Sequence, residues 1–418
     1  MQTLVQGCNA LSGILLVWVL PRETAYAWFT VVSSMMVMVS LLSDSGMTSA
    51  ANTLGGPIWQ ERARFTQVIA AVRRQQRWLT GFAVLIVVPW LVVLLQRLNT
   101  PTWVTGLAAL AVVLFAWPMA AAQIFGNVNR LHARLRPQLL AELATSCTRL
   151  LLTVGVLVIA ALAGWSVGPV FVGVVFAAVL SALLYYSMVE RQAEQVLDQS
   201  PPLTGEFDSA IRRIAYSTAG FTVYYCLQGQ LSLWLISWLG AAAQVADVGA
   251  LSRLGLLFSL ASGPLVQVVG PAFARSTDCA QLRRQLLQVC ALYAVFAAAI
   301  LLLVTLLPGP VLWLLGPQYG HLGAELPLAA LGLTAAGYSG IIWGLVLARG
   351  WVKSSALIIP VGLAAQLAGV LIFDFSTVTG VLGFNLFITV PAVLLACVIT
   401  ARGFSRWKTQ SGNGKMKP

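Results

Sequence analysis

Twelve stretches of mostly apolar residues, each near the length needed to cross a bilayer, recur along the chain. A helical span takes roughly 20 apolar residues. Since lipid offers backbone groups no hydrogen-bond partner, such spans have to be helical. The sequence therefore predicts an all-α integral membrane protein with twelve transmembrane helices. The predicted spans are approximately residues 3–20, 25–54, 78–96, 102–125, 140–163, 167–189, 214–238, 243–272, 286–308, 323–348, 353–373 and 378–401.

Composition excludes a water-soluble protein. Charged residues make up 9% of the 418 positions and hydrophobic residues 59%, whereas soluble domains carry about 25% charged residues. The net charge of +12 is spread in short basic runs between apolar stretches, which is typical of membrane orientation rather than of nucleic-acid binding. We therefore expect no nucleic-acid partner.

The basic residues also predict the orientation of the spans. If both termini are cytoplasmic, 21 of the 25 Lys and Arg fall in the inside loops and the C-terminal tail. The outside loops then hold only Arg22 and Arg97, and Arg149 and Arg253 lie within spans. This asymmetry follows the positive-inside rule, so we expect a multi-pass protein with both termini cytoplasmic.

Motifs for metal, nucleotide or catalytic chemistry are not found. The six cysteines are scattered without a CxxC pair, and the two histidines fall on opposite predicted sides of the membrane. The chain has no GxxxxGK[ST] sequence, which would have indicated ATP hydrolysis. Because the outside loops are also short, we expect no metal, no cofactor and no enzymatic activity.

A polar stretch, Val189–Asp208, divides the spans into two sets of six. We predict an N-terminal lobe at 1–190, a cytoplasmic linker at 191–212, a C-terminal lobe at 213–402 and a basic cytoplasmic tail at 403–418. An even number of spans before the linker gives both lobes the same orientation. Parallel repeats of this kind are a common transporter architecture.

Short motifs at matching places in the two halves resemble those of a known family. They are Leu20–Trp28, Asp44–Gly46 and Ala50 in the first half, and Leu239–Gly240, Val245–Leu254 and Pro271–Arg275 in the second. Together with span number and linker position, they resemble polysaccharide flippases of the O-antigen type, in the multidrug/oligosaccharidyl-lipid/polysaccharide exporter superfamily.

The resemblance implies a fold and a function. It implies a V-shaped bundle of two parallel six-helix lobes around a central cavity. It also implies that undecaprenyl-pyrophosphate-linked oligosaccharide repeat units cross the bacterial inner membrane by alternating access, for lipopolysaccharide O-antigen or another surface polysaccharide. The expected partners are the lipid-linked oligosaccharide, membrane lipid, and a polysaccharide polymerase or chain-length regulator.

Two arginines deep within spans are candidate ligands for the diphosphate. Arg149 lies near the middle of span five and Arg253 about ten residues into span eight. Charge inside a membrane is costly and usually functional, and a guanidinium group matches phosphate oxygens. The alternative is that each arginine pairs with an internal carboxylate, Glu142 or Asp247, and only holds the bundle together.

Span four carries a polar stripe of Gln123, Asn127, Arg130 and Arg134 that leads to the predicted cytoplasmic mouth. Such a stripe would attract an anionic substrate. The alternative is an ordinary basic anchor on the cytoplasmic side.

Span seven carries Tyr224, Gln228 and Ser232 on one face. Aromatic rings and amides are the groups that bind sugars, so we predict substrate contacts for Tyr224 and Gln228. The same residues also form interhelical hydrogen bonds in membrane bundles.

Two intramembrane carboxylates are candidates for a coupling ion. Asp247 lies near the outer end of span eight, and Asp44 shares an i, i+4 stripe with Ser40, Thr48 and Asn52. Alternatively, each is a polar residue near a membrane interface.

Three functions compete. An ion-coupled multidrug/cation antiporter of the same superfamily would favour intramembrane carboxylates without deep arginines. A membrane polysaccharide polymerase would need a larger outside loop. The arginines near mid-span favour the flippase.

Overall fold

The computed structural model describes residues 2–132, 134–198, 205–255, 279–348 and 357–412, together with single residues between 257 and 273. Throughout these ranges the regular structure is helical. The helices are α1 (Gln2–Val19), α2 (Ala27–Asp44), α3 (Met47–Ala50), α4 (Arg62–Arg97), α5 (Thr102–Leu131), α6 (Leu135–Ala163), α7 (Val167–Glu194), α8 (Asp208–Leu239), α9 (Ala242–Ser252), α10 (Cys279–Leu306), α11 (Pro308–Leu315), α12 (Leu326–Ala348), α13 (Ile358–Ile372) and α14 (Val378–Gly412).

The predicted all-α membrane class is confirmed. Eight helical segments in the described ranges are long and apolar enough to cross a membrane, and two shorter apolar helices, Leu4–Val19 and Ile358–Ile372, coincide with predicted spans one and eleven. Helix α8 coincides with span seven, and α9 begins span eight, most of whose remainder lies outside the described residues. Each of the twelve predicted spans therefore overlaps a helix.

The chain forms two compact units, an N-terminal unit of residues 1–246 and a C-terminal unit of residues 247–418. In the N-terminal unit, α7 packs against α5 and α6, α6 also packs against α1, and α2 packs against α4 and α5. Helix α8 packs against α2, α3 and α4 of the same unit. In the C-terminal unit, α12 packs against α10 and α14, and α13 packs against α14. The predicted lobe boundaries stay a prediction.

Helix α4 extends well beyond the predicted third span. It begins at Arg62 rather than near residue 78, so most of the predicted inside loop is helical. The apolar residues Phe65, Val68, Ile69 and Val72 recur at helical spacing and are buried, which makes this segment an amphipathic helix. They join a core that also contains Ile211 at the start of α8.

The predicted second span is not one continuous helix, so the residues of the predicted stripe from Ser40 to Asn52 lie on three successive helical segments. Helix α2 ends at Asp44, and Ser45 and Gly46 follow with φ angles of 22° and 87°. Glycine is favoured in such a left-handed conformation because it lacks a Cβ atom. A single turn, α3, and a π-helical segment, Ala51–Gly55, complete the span.

Candidate substrate-binding residues

Arg149 lies midway along α6 and is half-buried. On the same face, Ser146 and Thr153 are buried, whereas Leu151 on another face is exposed. The nearby Glu142 carboxylate accepts a hydrogen bond from Gln138 Nε2 at 3.1 Å. The polar face of α6 is thus turned toward packed helices, and Arg149 belongs to that face.

Arg253 lies at an interruption of its helix rather than inside a continuous span, which corrects the prediction for span eight. Helix α9 ends at Ser252, and the Arg253 backbone N–H donates to the Ala250 carbonyl at 3.0 Å within a turn. Its side chain is half-buried. Transporters place such broken helices at substrate and ion sites, where freed backbone groups meet polar ligands.

The Asp247 carboxylate has a partner that the sequence did not predict. Asp247 is only 2% exposed, and its Oδ2 lies 3.3 Å from Nε2 of His321, whose side chain is 45% exposed. His321 belongs to a short 3₁₀ segment, Pro317–Gly323. The sequence contained one indication of this pair: in the predicted topology, Asp247 and His321 both lie near the outer side of the membrane. The described residues contain no group of three or more His, Cys, Asp or Glu side chains suited to a metal ion.

Asp44 has a structural role at the turn between α2 and α3. Its Oδ1 accepts hydrogen bonds from the Thr48 backbone N–H at 2.9 Å and from the Thr48 hydroxyl at 2.7 Å. These bonds hold the chain across the Ser45–Gly46 break. A role for Asp44 in ion coupling stays a prediction.

The polar stripe predicted on span four is split by the structure. Asn127 is buried, and its Nδ2 donates to Asn52 Oδ1 at 2.8 Å. Arg130 is exposed. Arg134 lies beyond the end of α5, just before α6, and donates to Gln195 Oε1 at 2.7 Å. The prediction that all four residues share one helix is therefore wrong for Arg134. Gln123, Asn127 and Arg130 do lie on α5, and their contact with substrate stays a prediction.

Gln123 and Tyr224 both bury a polar atom for which the described residues supply no hydrogen-bond partner. The atoms are Gln123 Oε1 on α5 and the Tyr224 hydroxyl on α8. One turn beyond Tyr224 the side chain of Gln228 is half-buried, and Ser232 is buried. A buried polar group without a partner costs about 1–3 kcal/mol, so a polar ligand or water at these atoms would be favourable.

The fold is that of solved membrane transporters. A multidrug resistance MATE family transporter of the MOP superfamily, in an inward-facing conformation, has a TM-score of 0.71 and 16% identity, with 99% of this chain and 96% of that chain covered. The lipid II flippase MurJ, in an inward closed conformation, has a TM-score of 0.74 and 13% identity, with 98% and 89% covered.

A third similar structure is a MOP superfamily transporter from Pyrococcus furiosus, whose binding pocket is described as having reverse polarity. Its TM-score is 0.66 at 15% identity, with 98% of this chain and 93% of that chain covered. No protein-family model matches the chain, and no curated protein sequence matches it. At such low sequence identities, the structural similarity is evidence of a shared fold alone.

Proposed function

We propose that this protein is a flippase that moves undecaprenyl-pyrophosphate-linked oligosaccharide repeat units across the bacterial inner membrane by alternating access. The glycan would serve O-antigen or another surface polysaccharide. Both termini would be cytoplasmic, and a polysaccharide polymerase or chain-length regulator would act on the product. The transporter fold, shared with a lipid II flippase, supports the general role, and the motifs of the two halves support the polysaccharide substrate.

The observation that carries the proposal is an arginine midway along an apolar helix. Placing arginine at the centre of a span costs about 2.5–3.5 kcal/mol on insertion scales, and Arg149 is at that position in α6. Arg253 lies at the interruption that follows α9. Guanidinium groups offer paired donors that match the oxygens of a diphosphate. In this proposal Arg149 and Arg253 are each a ligand of the diphosphate.

Sugar contacts are proposed for residues with unsatisfied or half-buried polar groups. The Tyr224 hydroxyl and Gln123 Oε1 lack partners among the described residues, and Gln228 lies one turn from Tyr224. Arg130 is exposed and would attract the anionic headgroup. Asn127 already bonds Asn52, so its contribution would be to position α5.

The proposal is tested by transfer of the lipid-linked sugar in reconstituted vesicles. The full chain is placed in liposomes with an undecaprenyl-diphosphate oligosaccharide, and the sugar that becomes accessible to an added glycosidase is measured over time. Because hydrogen bonds to charged groups contribute about 1.5–3 kcal/mol, we expect Arg149→Ala and Arg253→Ala each to slow transfer by about 10- to 150-fold.

Controls separate the guanidinium role from general damage. Arg136→Ala removes an exposed arginine from the start of the same helix as Arg149 and should leave the rate unchanged. Arg149→Lys and Arg253→Lys keep the charge without the paired donors, so intermediate rates are expected. Wild-type transfer by both alanine variants would remove these arginines from the substrate site.

An ion-coupled multidrug/cation antiporter is the second candidate, because the fold is shared with a MATE transporter and Asp247 is a buried carboxylate. The reverse polarity of the binding pocket in the Pyrococcus furiosus transporter indicates that pocket polarity varies among proteins with this fold. The same vesicles, given a lipophilic cation and an imposed H⁺ or Na⁺ gradient, distinguish the two. Cation uptake that Asp247→Asn abolishes, without lipid transfer, would establish the antiporter.

A further inference from the structure

The arginines at the start of α4 are mostly neutralised by the segment that follows α7. Arg62 Nε lies 3.0 Å from Asp198 Oδ1, and Arg74 Nη2 lies 2.6 Å from both oxygens of Asp208. Arg73 stacks over the ring of Phe125, 4.2 Å from its centroid. These arginines are occupied in holding α4 to its neighbours.

Three arginines close to Asp208 have no carboxylate partner among the described residues. Within the described residues, the side chains of Arg77 and Arg213 make no hydrogen bond or ion pair. The Arg212 side chain donates through Nε only to the Asp208 carbonyl oxygen, at 3.4 Å. All three side chains are exposed. We refer to Arg77, Arg212 and Arg213 as the arginine cluster.

Asp208 places the members of the arginine cluster at one level on adjoining helices. Arg74 and Gln75 of α4 and Arg212 of α8 all contact Asp208, the first residue of α8. Arg77 lies about one turn beyond Arg74, as Arg212 and Arg213 lie about one turn beyond Asp208.

The two helices also run in the same direction. Near the far end of α4, Trp90 lies 5.4 Å from Trp234 of α8 between ring centroids, and Arg97 stacks over Trp238 at 4.3 Å. The contacts thus advance along α4 and α8 together, so the two helices are parallel. Residues one turn beyond Arg74 and one turn beyond Asp208 therefore lie in the same direction from the contact between them.

An exposed apolar surface begins immediately beyond the arginine cluster. On α4, Trp78 is 80% exposed and is followed by exposed Phe82 and Leu85, and on α8 Tyr216 is 80% exposed. In a membrane protein such a surface faces lipid, and Trp and Tyr favour the level of the headgroups. The arginine cluster therefore lies where the phosphate of a bound lipid would lie.

We propose that the arginine cluster is a binding site for an anionic phospholipid. The three guanidinium groups bind the phosphate and the negatively charged headgroup, while Trp78 and Tyr216 contact the glycerol and upper acyl chains. Charge complementarity selects this occupant, because a cluster with no carboxylate partner among the described residues adjoins an exposed apolar surface of the kind that faces lipid. The site is independent of the proposed transport activity.

The test is lipid retention by the purified full chain in non-ionic detergent, measured by native mass spectrometry. Phosphatidylglycerol and phosphatidylcholine with the same acyl chains are titrated separately, and the wild type should prefer phosphatidylglycerol. Each basic residue beside an anionic lipid surface contributes a factor of about five in affinity. The triple variant R77Q/R212Q/R213Q should therefore bind phosphatidylglycerol at least about tenfold more weakly and lose the preference.

A matched control removes the same charge elsewhere. The variant R136Q/R283Q/R284Q lacks three other exposed arginines at helix starts and should keep the wild-type preference. An equal loss in this control would attribute binding to net charge and overturn the proposal. Wild-type retention by the cluster variant, or displacement of the lipid by millimolar inorganic phosphate, would also overturn it, the latter by identifying a simple anion site.

Discussion

A close approach between α10 and α12 gives a sharp test of packing in the C-terminal unit. Gly337 of α12 faces Tyr293 of α10, so a Cβ atom at position 337 would overlap the Tyr293 hydroxyl and lie 2.6 Å from Cζ. Tyr293 is fully buried. Its hydroxyl donates to the Thr334 carbonyl at 3.4 Å, and its ring meets that of Tyr338 edge-on at 4.8 Å. The Tyr293 side chain is therefore held by its hydrogen bond and by the Tyr338 ring, and it has little room to move away from position 337.

The expected cost of Gly337→Ala follows from two opposing terms. Overpacking a well-packed site costs about 1–3 kcal/mol. Because the Tyr293 ring cannot move away easily, we expect a cost at the upper end of this range. Alanine is better than glycine in a helix by about 1 kcal/mol. The net loss is then about 2 kcal/mol. Gly340 on the same helix has open space where the methyl group of an alanine would lie, so Gly340→Ala should be neutral or stabilising.

Thermal unfolding of the purified full chain, followed by tryptophan fluorescence, measures the difference. One kcal/mol shifts the melting temperature of a 150–250-residue unit by about 2–4 °C, so Gly337→Ala should melt about 4–8 °C below wild type. Tyr293→Leu should cost less in the Gly337→Ala background than in wild type, because the clash is relieved. If Gly337→Ala melts at or above Gly340→Ala, the two helices do not approach as described.

Three further predictions concern the N-terminal unit. The Sγ atoms of Cys8 and Cys147 lie 3.7 Å apart, so oxidation with copper phenanthroline should link α1 to α6 through a disulfide detectable by mass spectrometry of protease fragments, unless Cys8 is replaced by Ser. Gly46→Ala should destabilise the chain by about 1–2 kcal/mol because the backbone at position 46 is left-handed, and an unchanged melting temperature would contradict this. In a double-mutant cycle, Arg74→Gln and Asp208→Asn should show a coupling free energy of about 1 kcal/mol that declines with salt, since the pair is partly exposed. Additive effects of the two substitutions would exclude the ion pair.

The spans were predictable because bilayer thickness sets the length of an apolar helix whatever its neighbours are. Hydropathy does not report backbone angles, however, so the breaks at Gly46 and Arg253 were missed. The Asp44–Gly46 sequence did contain turn-forming residues that indicated the first break. The extension of α4 falls in residues 55–77, between predicted spans two and three, which are predicted to be an inside loop. The apolar residues from Phe65 to Val72 nevertheless have the spacing of a buried helix face.

Which candidate residues share a face could be predicted only where one helix carries them. The face shared by Tyr224 and Gln228 follows from spacing within α8, and its burial pattern agrees. The Asn52–Asn127 bond and the Asp247–His321 pair join residues far apart in sequence. Such pairs depend on how helices pack, which composition and periodicity do not determine.

The hydrogen bonds of Asp44 bear on the choice between a flippase and a cation antiporter. A cation bound at this carboxylate would compete with two hydrogen bonds from Thr48 that hold the α2–α3 turn. Asp44→Asn removes the charge but keeps an oxygen acceptor, whereas Asp44→Ala removes both. We expect Asp44→Asn to transport like wild type and Asp44→Ala to lose about 1–3 kcal/mol of stability. A stable Asp44→Asn protein that fails in gradient-driven transport would instead show that the charge, and not the turn, is what the protein uses.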